Sequence, residues 1–393
     1  MIYHREIERA LKWFFLTQNR ENFGWSWTPN ISPNAQNTAE VVYACCLFSS
    51  VLSDNHKLLI QEAVQYWLLR PGLHAVLAVD WIWIGMALSL YLERHDDFSS
   101  APGSLPVKRI QKSISECIQQ ILSLQNDDGG WGDNKGDQST VFRTALAIYF
   151  LGKQGQDSSA ELKHALERAV QWICTLQNDD GGFGVIEETG ISEDTRLAYA
   201  SMGIDHRVIE EQILSSMSAT GYALIALSAI SPYSRYGRIS KAIAYLEATA
   251  AQQGYKIFYE VGVRKDSPFT FRHFGAAWMG IGLLNSGQRD FTSPSVLGIL
   301  KYMLHLEDRA GGGFRVSDAS EVYTWSNCNA LIFLFRLQES LHRLDGRDYT
   351  DIIVDYYMEK KSMYAKTRRW LREVRQSAHT IFGEGRKTPG RGV

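Results

Sequence analysis

The residues best suited to chemistry in this 393-residue sequence are a few carboxylic acids, a scatter of cations and a set of large aromatics. Asp80 opens the run DWIWIGMALSLYL, where an acidic group has almost no polar company. A carboxyl so placed is either the N-cap of a helix or a buried acid whose pKa rises until it can donate a proton near neutral pH. Glu40, within TAEVVYACCLF, is a second carboxyl that would serve as an acid if it faced inward. Cations recur near predicted helix starts: Arg143, Arg196, Arg264, Lys265, Arg272 and His273. Aromatics stand beside them or one turn deeper: Trp81, Trp83, Tyr199, Trp278, Tyr323 and Trp325. Cations above aromatic faces suit a ligand with an anionic head and an apolar body. The same faces would stabilise a positive carbon by about 0.5–2 kcal/mol per contact. Plainer readings stand beside these. The aromatics can simply fill a core, and Arg196 can pair with Glu193 or Asp194. Cys328 with His273 is only half of what zinc requires.

The elements that must position these groups are repeats. Leu124–Gly132 reads LQNDDGGWG, and Leu176–Gly184 reads LQNDDGGFG, with Trp131 and Phe183 the only difference. Such self-similarity marks a repeat architecture. Before each copy runs a stretch with apolar residues three and four apart, such as Ile110, Ile114, Cys117 and Ile121, which predicts an amphipathic helix. Asn-Asp-Asp-Gly-Gly then ends it, because glycine accepts the left-handed backbone of a helix stop. The aromatic that follows is placed to fold back as a plug between neighbouring helices. A more apolar helix comes next, as in TVFRTALAIYFL at Thr140–Leu151. Six such pairs are expected, with inner helices near Asn37, Asp80, Thr140, Thr220, Arg272 and Tyr323. The arithmetic is that of an all-α (α/α)6 toroid of six helix hairpins, an inner ring within an outer one. If the inner helices are parallel, their N-termini gather at one rim, whose unpaired N–H groups attract an anion.

The toroid is predicted over residues 1–345, and residues 346–393 read as a basic helical extension with a disordered end. Net charge is −2, yet ten Lys or Arg against two Glu lie between Lys360 and Val393. That stretch suits either a solvated helix or a docking arm for a protein partner or anionic surface. No specific nucleic-acid module accompanies it. The five cysteines are odd in number and sit in helical patterns, which favours a reducing compartment over a disulfide framework. With no signal-peptide pattern in MIYHREIERALKWFF and no transmembrane run, the expected location is the cytoplasm.

The segment Gln125-Asn-Asp-Asp-Gly129-Gly130-Trp131 resembles the Q-x3-G-x-W repeat of squalene–hopene cyclases and related terpene cyclases, which also occurs in protein prenyltransferase β subunits. The resemblance implies an α/α toroid and an isoprenoid-like small molecule, with an isoprenoid diphosphate fitting the rim cations and aromatics. The usual catalytic signatures are missing. The sequence holds no D-x-D-D acid motif, and Asp96-Asp97, Asp127-Asp128 and Asp179-Asp180 all lack the third Asp of a magnesium-binding DDxxD. At the prenyltransferase zinc positions stand Arg272, Phe274 and Thr324, none of which serves as a zinc ligand. Asp194-Thr-Arg196-Leu-Ala-Tyr199 is similar to the D-x-R-x-x-Y segment that lines the prenyltransferase cavity. No metal or cofactor is firmly implied, although magnesium is compatible with a diphosphate ligand.

Three readings follow. The first is a terpene cyclase-like or prenyltransferase-like protein that binds an isoprenoid diphosphate in the ring, with Asp80 or Glu40 starting an acid-initiated cyclisation. The second is a non-catalytic scaffold or ligand-binding module, its middle filled with Trp and Tyr, that docks a partner through its outer face and basic tail. The third is another enzyme on the same ring, with two carboxylates facing each other across its mouth.

Overall fold

The computed structural model describes residues 3–99, 105–154, 159–187, 201, 211–230, 236–253, 258–264, 267–317 and 320–343. Its main helices are α1 (His4–Thr17), α2 (Ala35–Leu47), α3 (Asp54–Ala63), α4 (Ala78–Glu93), α5 (Val107–Ser123) and α6 (Val141–Gly152). They continue with α7 (Ala160–Thr175), α8 (Met217–Ala229), α9 (Tyr236–Gln253), α10 (Gly275–Asn285), α11 (Pro294–His305) and α12 (Thr324–Arg343). Odd- and even-numbered helices differ in burial. Helix α5 buries Ile110, Ile114, Cys117 and Ile121 along one stripe and exposes much of the rest, as an outer helix should. Helix α6 buries every residue from Val141 to Leu151, so it is enclosed on all sides. The even helices form the inner ring: α2 packs on α4, α4 on α6, α6 on α8, α8 on α10, α10 on α12, and α12 on α2 again.

Local chemistry sets where the inner helices begin. Asn34, Thr140 and Ser216 accept from the backbone N–H groups of Asn37, Arg143 and Ala219, so α2, α6 and α8 each start at a side-chain cap. Their starts share one end of the ring. Ala78 N–H, at the head of α4, donates to Asp133 O in the loop before α6 (2.8 Å). Val141 N–H donates to Val185 O before α8 (2.8 Å), and Thr324 N–H to Trp27 O before α2 (3.1 Å).

The glycine loops bind each hairpin to the next. Gly129, Gly181 and Gly312 have φ of 95°, 88° and 84°, the left-handed conformation that glycine tolerates. A Cβ on them would lie 2.9 Å from Arg168 O, 2.7 Å from Lys241 O and 2.6 Å from Arg9 O. The first two contacts join consecutive units through α7 and α9. The third joins the last loop to the first helix, and so closes the ring. At that seam Glu307 stands where the other loops have Gln125 and Gln177, and Arg9 Nε donates to it at 2.7 Å. Asn327 Nδ2 adds a bond to Ala10 O across the seam (3.0 Å).

The expected plug is present in four units. Trp25, Trp131, Phe183 and Phe314 are at most 1% exposed. The backbone N–H groups of Trp25, Trp131 and Phe183 donate to Thr38, Thr144 and Thr220 on the inner helices that follow.

One expectation is corrected. The fifth inner helix does not resume at Arg272; it starts at Gly275, and a β-hairpin precedes it. Strands β1 (Phe258–Arg264) and β2 (Ser267–His273) are antiparallel, with Phe258 opposite His273 and Arg264 opposite Ser267. Alternating Val, Phe and Thr in these segments fit a pleated surface better than a helix. No helix among the described residues is long and apolar enough to cross a membrane. The extension at 346–393, with its basic stretch, lies outside the described residues.

Candidate functional site

Asp80 sits in the first turn of α4, and its Oδ2 accepts the backbone N–H groups of Val76 (2.8 Å) and Leu77 (2.9 Å). Those bonds satisfy donors that the start of α4 leaves open. Arg143, on α6, donates from Nε to Asp133 Oδ1 at 3.1 Å, with both side chains about nine-tenths buried. These two charged residues therefore hold the rim together. Arg264, Arg272 and His273 lie on the β-hairpin, and only their backbone is described. Arg196, Tyr199 and Lys265 lie outside the described residues.

The aromatics gather on the inner ring. Trp83 of α4 packs edge-on against Tyr43 of α2, centroids 5.8 Å apart. Trp278 of α10 stacks on Tyr222 of α8 at 4.1 Å, and Tyr222 meets Phe142 of α6 edge-on at 4.9 Å. The α8–α10 stack depends on a close helix approach, since a Cβ on Gly282 would come within 2.5 Å of Gly221 O. Tyr323 and Trp325 stack in parallel at the start of α12, 5.7 Å apart. Trp81 is buried at the head of α4. Trp83 is 2% exposed and Trp278 4%, so these rings are packed against protein.

Glu40 stands out among the acids. It lies near the middle of α2, 3% exposed, close enough to Asp80 of α4 and Cys328 of α12 for their charges to interact. One carboxyl oxygen, Oε1, accepts from Gln36 Nε2 at 2.8 Å, while Oε2 is buried with no hydrogen-bond partner. Burial pushes its pKa from 4.5 up to about 8; the Gln36 bond opposes this and the charge of Asp80 adds to it. Glu40 is thus a neutral acid at pH 7. A folded-state pKa above the unfolded one means that its stabilising effect is complete below 4.5 and is lost as pH rises through about 8. We expect the wild type to lose stability across that window at about 1.4 kcal/mol per pH unit relative to Glu40→Gln. Urea titrations at a series of pH values check this; parallel stability curves for the two proteins would remove the buried-acid assignment.

The prenyltransferase alpha-alpha toroid domain family model matches residues 101–223 and 269–381, more than half of the chain. The chain belongs to this family. Over shorter stretches the toroid is similar to curated enzymes. It is 35% identical over 68 residues to a drimenyl diphosphate synthase of Streptantibioticus cattleyicolor, a match covering 17% of this chain and 12% of that one. It is 31% identical over 104 residues to a terpentedienyl-diphosphate synthase of Kitasatospora griseola, covering 25% and 20%. These matches thus take in an eighth to a fifth of the curated relatives' length. Among solved structures, an α-1,6-mannanase, GH76A of Salegentibacter sp. HEL1_6, aligns over 86% of this chain and 98% of its own, with a TM-score of 0.57 and 11% identity. At that identity the likeness concerns the fold alone.

At the prenyltransferase zinc positions, Arg272 is on β2, Phe274 is the buried residue before α10, and Thr324 opens α12. No group of three His, Cys, Asp or Glu among the described residues could hold a metal ion. Cysteines 45, 46, 117 and 328 are buried free thiols. Sequence reasoning singled out Asp80 more strongly than Glu40. The usable signal was the lone acid in AQNTAEVVYACCL, a helix otherwise free of charge.

Proposed function

We propose that the toroid is an isoprenoid-handling enzyme of the terpene cyclase type, with Glu40 as its proton donor. The observation that carries this reading is a neutral carboxyl, buried in the inner ring, with one oxygen unpartnered. Proton transfer from Glu40 to an alkene carbon of the ligand would form a C–H bond from the π electrons and leave a cation on the other carbon. The faces of Tyr43 and Trp83, on the same helix and its neighbour, are candidates to stabilise that cation. The anionic head would lie at the rim where the inner helices start, with magnesium accompanying a diphosphate. Named relatives that make terpenoid diphosphates support this substrate class.

A second reading is favoured by the near-complete burial of Trp83, Tyr222 and Trp278: a non-catalytic scaffold or binding module whose middle is filled with rings. The mannanase likeness adds that the same ring architecture serves unrelated chemistry. Mass spectrometry of purified protein incubated with geranyl, farnesyl and geranylgeranyl diphosphates, with and without magnesium, separates the two. The expected result is a product from at least one of them. Intact substrate in every tube, with no bound ligand in native spectra, would transfer the assignment to the scaffold.

A further inference from the structure

A second chemical centre lies at the opposite end of the ring, where the inner helices terminate. Tyr149, in the last turn of α6, is 9% exposed. Arg336 reaches its hydroxyl from α12, which stands diametrically across the ring from α6, and donates a hydrogen bond through Nη2. Lys153, one turn further along α6, places its ammonium 4.4 Å from the centre of the Tyr149 ring. Tyr43 of α2 lies near enough to Tyr149 for the two phenols to influence each other. An arginine and a lysine can only donate. The Tyr149 oxygen therefore accepts from a guanidinium beside a second cation, an arrangement that favours the phenolate.

The other charges facing this group are Glu93 at the end of α4 and Glu339 on α12. Glu339 accepts from Arg336 Nη1 at 2.5 Å, which orients the guanidinium. Burial alone would push the Tyr149 phenol up, but the charges of Arg336 and Lys153 outweigh it and hold it below the ordinary tyrosine range. Tyr43 is pushed up chiefly by burial and by the neighbouring Tyr149, against the opposing charge of Arg336.

A cavity of about 270 Å³ opens against Tyr149. That is near the lower end of the range for small-molecule sites, about 300 Å³. Met86, Leu90, Ile114 and Phe150 give it apolar walls, and its polar side carries Tyr149 and Lys153 together with Tyr43, Glu93 and Gln154. Ser89 also lines it, with a buried hydroxyl that has no partner.

We propose that this mouth of the ring is a second small-molecule site, which takes an apolar ligand bearing one weakly acidic hydroxyl, such as a phenol, with Tyr149 Oη as the proton acceptor. In the transfer the ligand's O–H bond breaks, its electron pair stays on the ligand oxygen, and the proton moves to Tyr149. The resulting ligand anion is left beside Lys153. This assignment shares only Tyr43 with the isoprenoid reading, and its test reads Tyr149 and Lys153, which that reading does not use.

The test compares wild type, Tyr149→Phe and Lys153→Met in the full chain. Lys153 is exposed, so its substitution should leave the fold intact. Tyrosinate absorbance should show one tyrosine in the wild type ionising before the rest, absent in Tyr149→Phe and displaced upward in Lys153→Met. Benzenesulfonyl fluoride, small enough for the cavity, should label Tyr149 before the exposed Tyr66 and Tyr236, forming an O–S bond as fluoride leaves. Phenol should protect it, and Lys153→Met should slow it by about tenfold, the change in phenolate fraction for one pH unit. Labelling that follows exposure, no protection by phenol, or no early ionisation step in the wild type would overturn the proposal.

Discussion

Glu40→Gln is expected to lower turnover of an isoprenoid diphosphate by about 10²- to 10⁴-fold, the usual share of a positioned acid. Glutamine keeps the size and polarity of the side chain and can still meet Gln36, but it has no acidic proton. The fold should survive, because Glu40 is neutral in the wild type near pH 7 and its replacement is neutral as well. Asp80→Asn makes the informative contrast. Asp80 accepts two backbone N–H groups at the head of α4. Its loss should therefore cost about 0.5–2 kcal/mol of stability, as for other helix-start groups, with most of the turnover retained. Steady-state rates of both variants, alongside their denaturation midpoints, check the assignment. Full activity in Glu40→Gln, or its collapse in Asp80→Asn alone, would return the acid role to Asp80.

The largest structural effect is expected at the repeat itself. Trp131→Ala should destabilise the protein by about 3–5 kcal/mol, the cost of truncating a fully buried large aromatic. Trp131 is completely buried, and its Nε1 donates to Ile121 O at the end of α5 (2.7 Å). Removing the ring opens a cavity between outer and inner helices and deprives that carbonyl of its donor. With typical stabilities of about 5–15 kcal/mol, a loss of this size is a large part of the margin. Trp131→Phe should cost less, because Phe183 fills the same position in the next unit. Urea unfolding monitored by circular dichroism measures both. A loss under about 1 kcal/mol for Trp131→Ala, the level of an average substitution, would mean that the plug is not structural.

The helix hairpins were legible in the chain because their causes are local. Ile110, Ile114, Cys117 and Ile121 announce a buried stripe by spacing alone, and α5 buries all four. The Gly-Gly stop was legible for the same reason, and Gly129 and Gly181 both take the left-handed backbone it requires. Predicted helix starts were a few residues off where a cap lay upstream of the apolar run. Ser216, four residues before Thr220, caps α8, which begins at Met217. The β-hairpin before α10 was missed because the apolar helix that follows drew the boundary back to Arg272. The candidate site was less legible. Asp80 and Glu40 are both acids in apolar helices, and nothing adjacent in the chain separates a helix-start carboxylate from a buried neutral acid.

Periodicity, glycine stops and repeat number by themselves determined that this chain forms helix pairs and that the pairs recur. Those features depend on steric limits and burial within one or two turns. The tertiary structure alone decided which residues join the last hairpin to the first, that Glu40 is neutral, and that Arg336 converges on Tyr149. Arg9 and Glu307 are 298 residues apart, and Tyr149 and Arg336 are 187 apart. Their energies depend on the distances and the dielectric that closure creates, so they come into being only when the last hairpin meets the first.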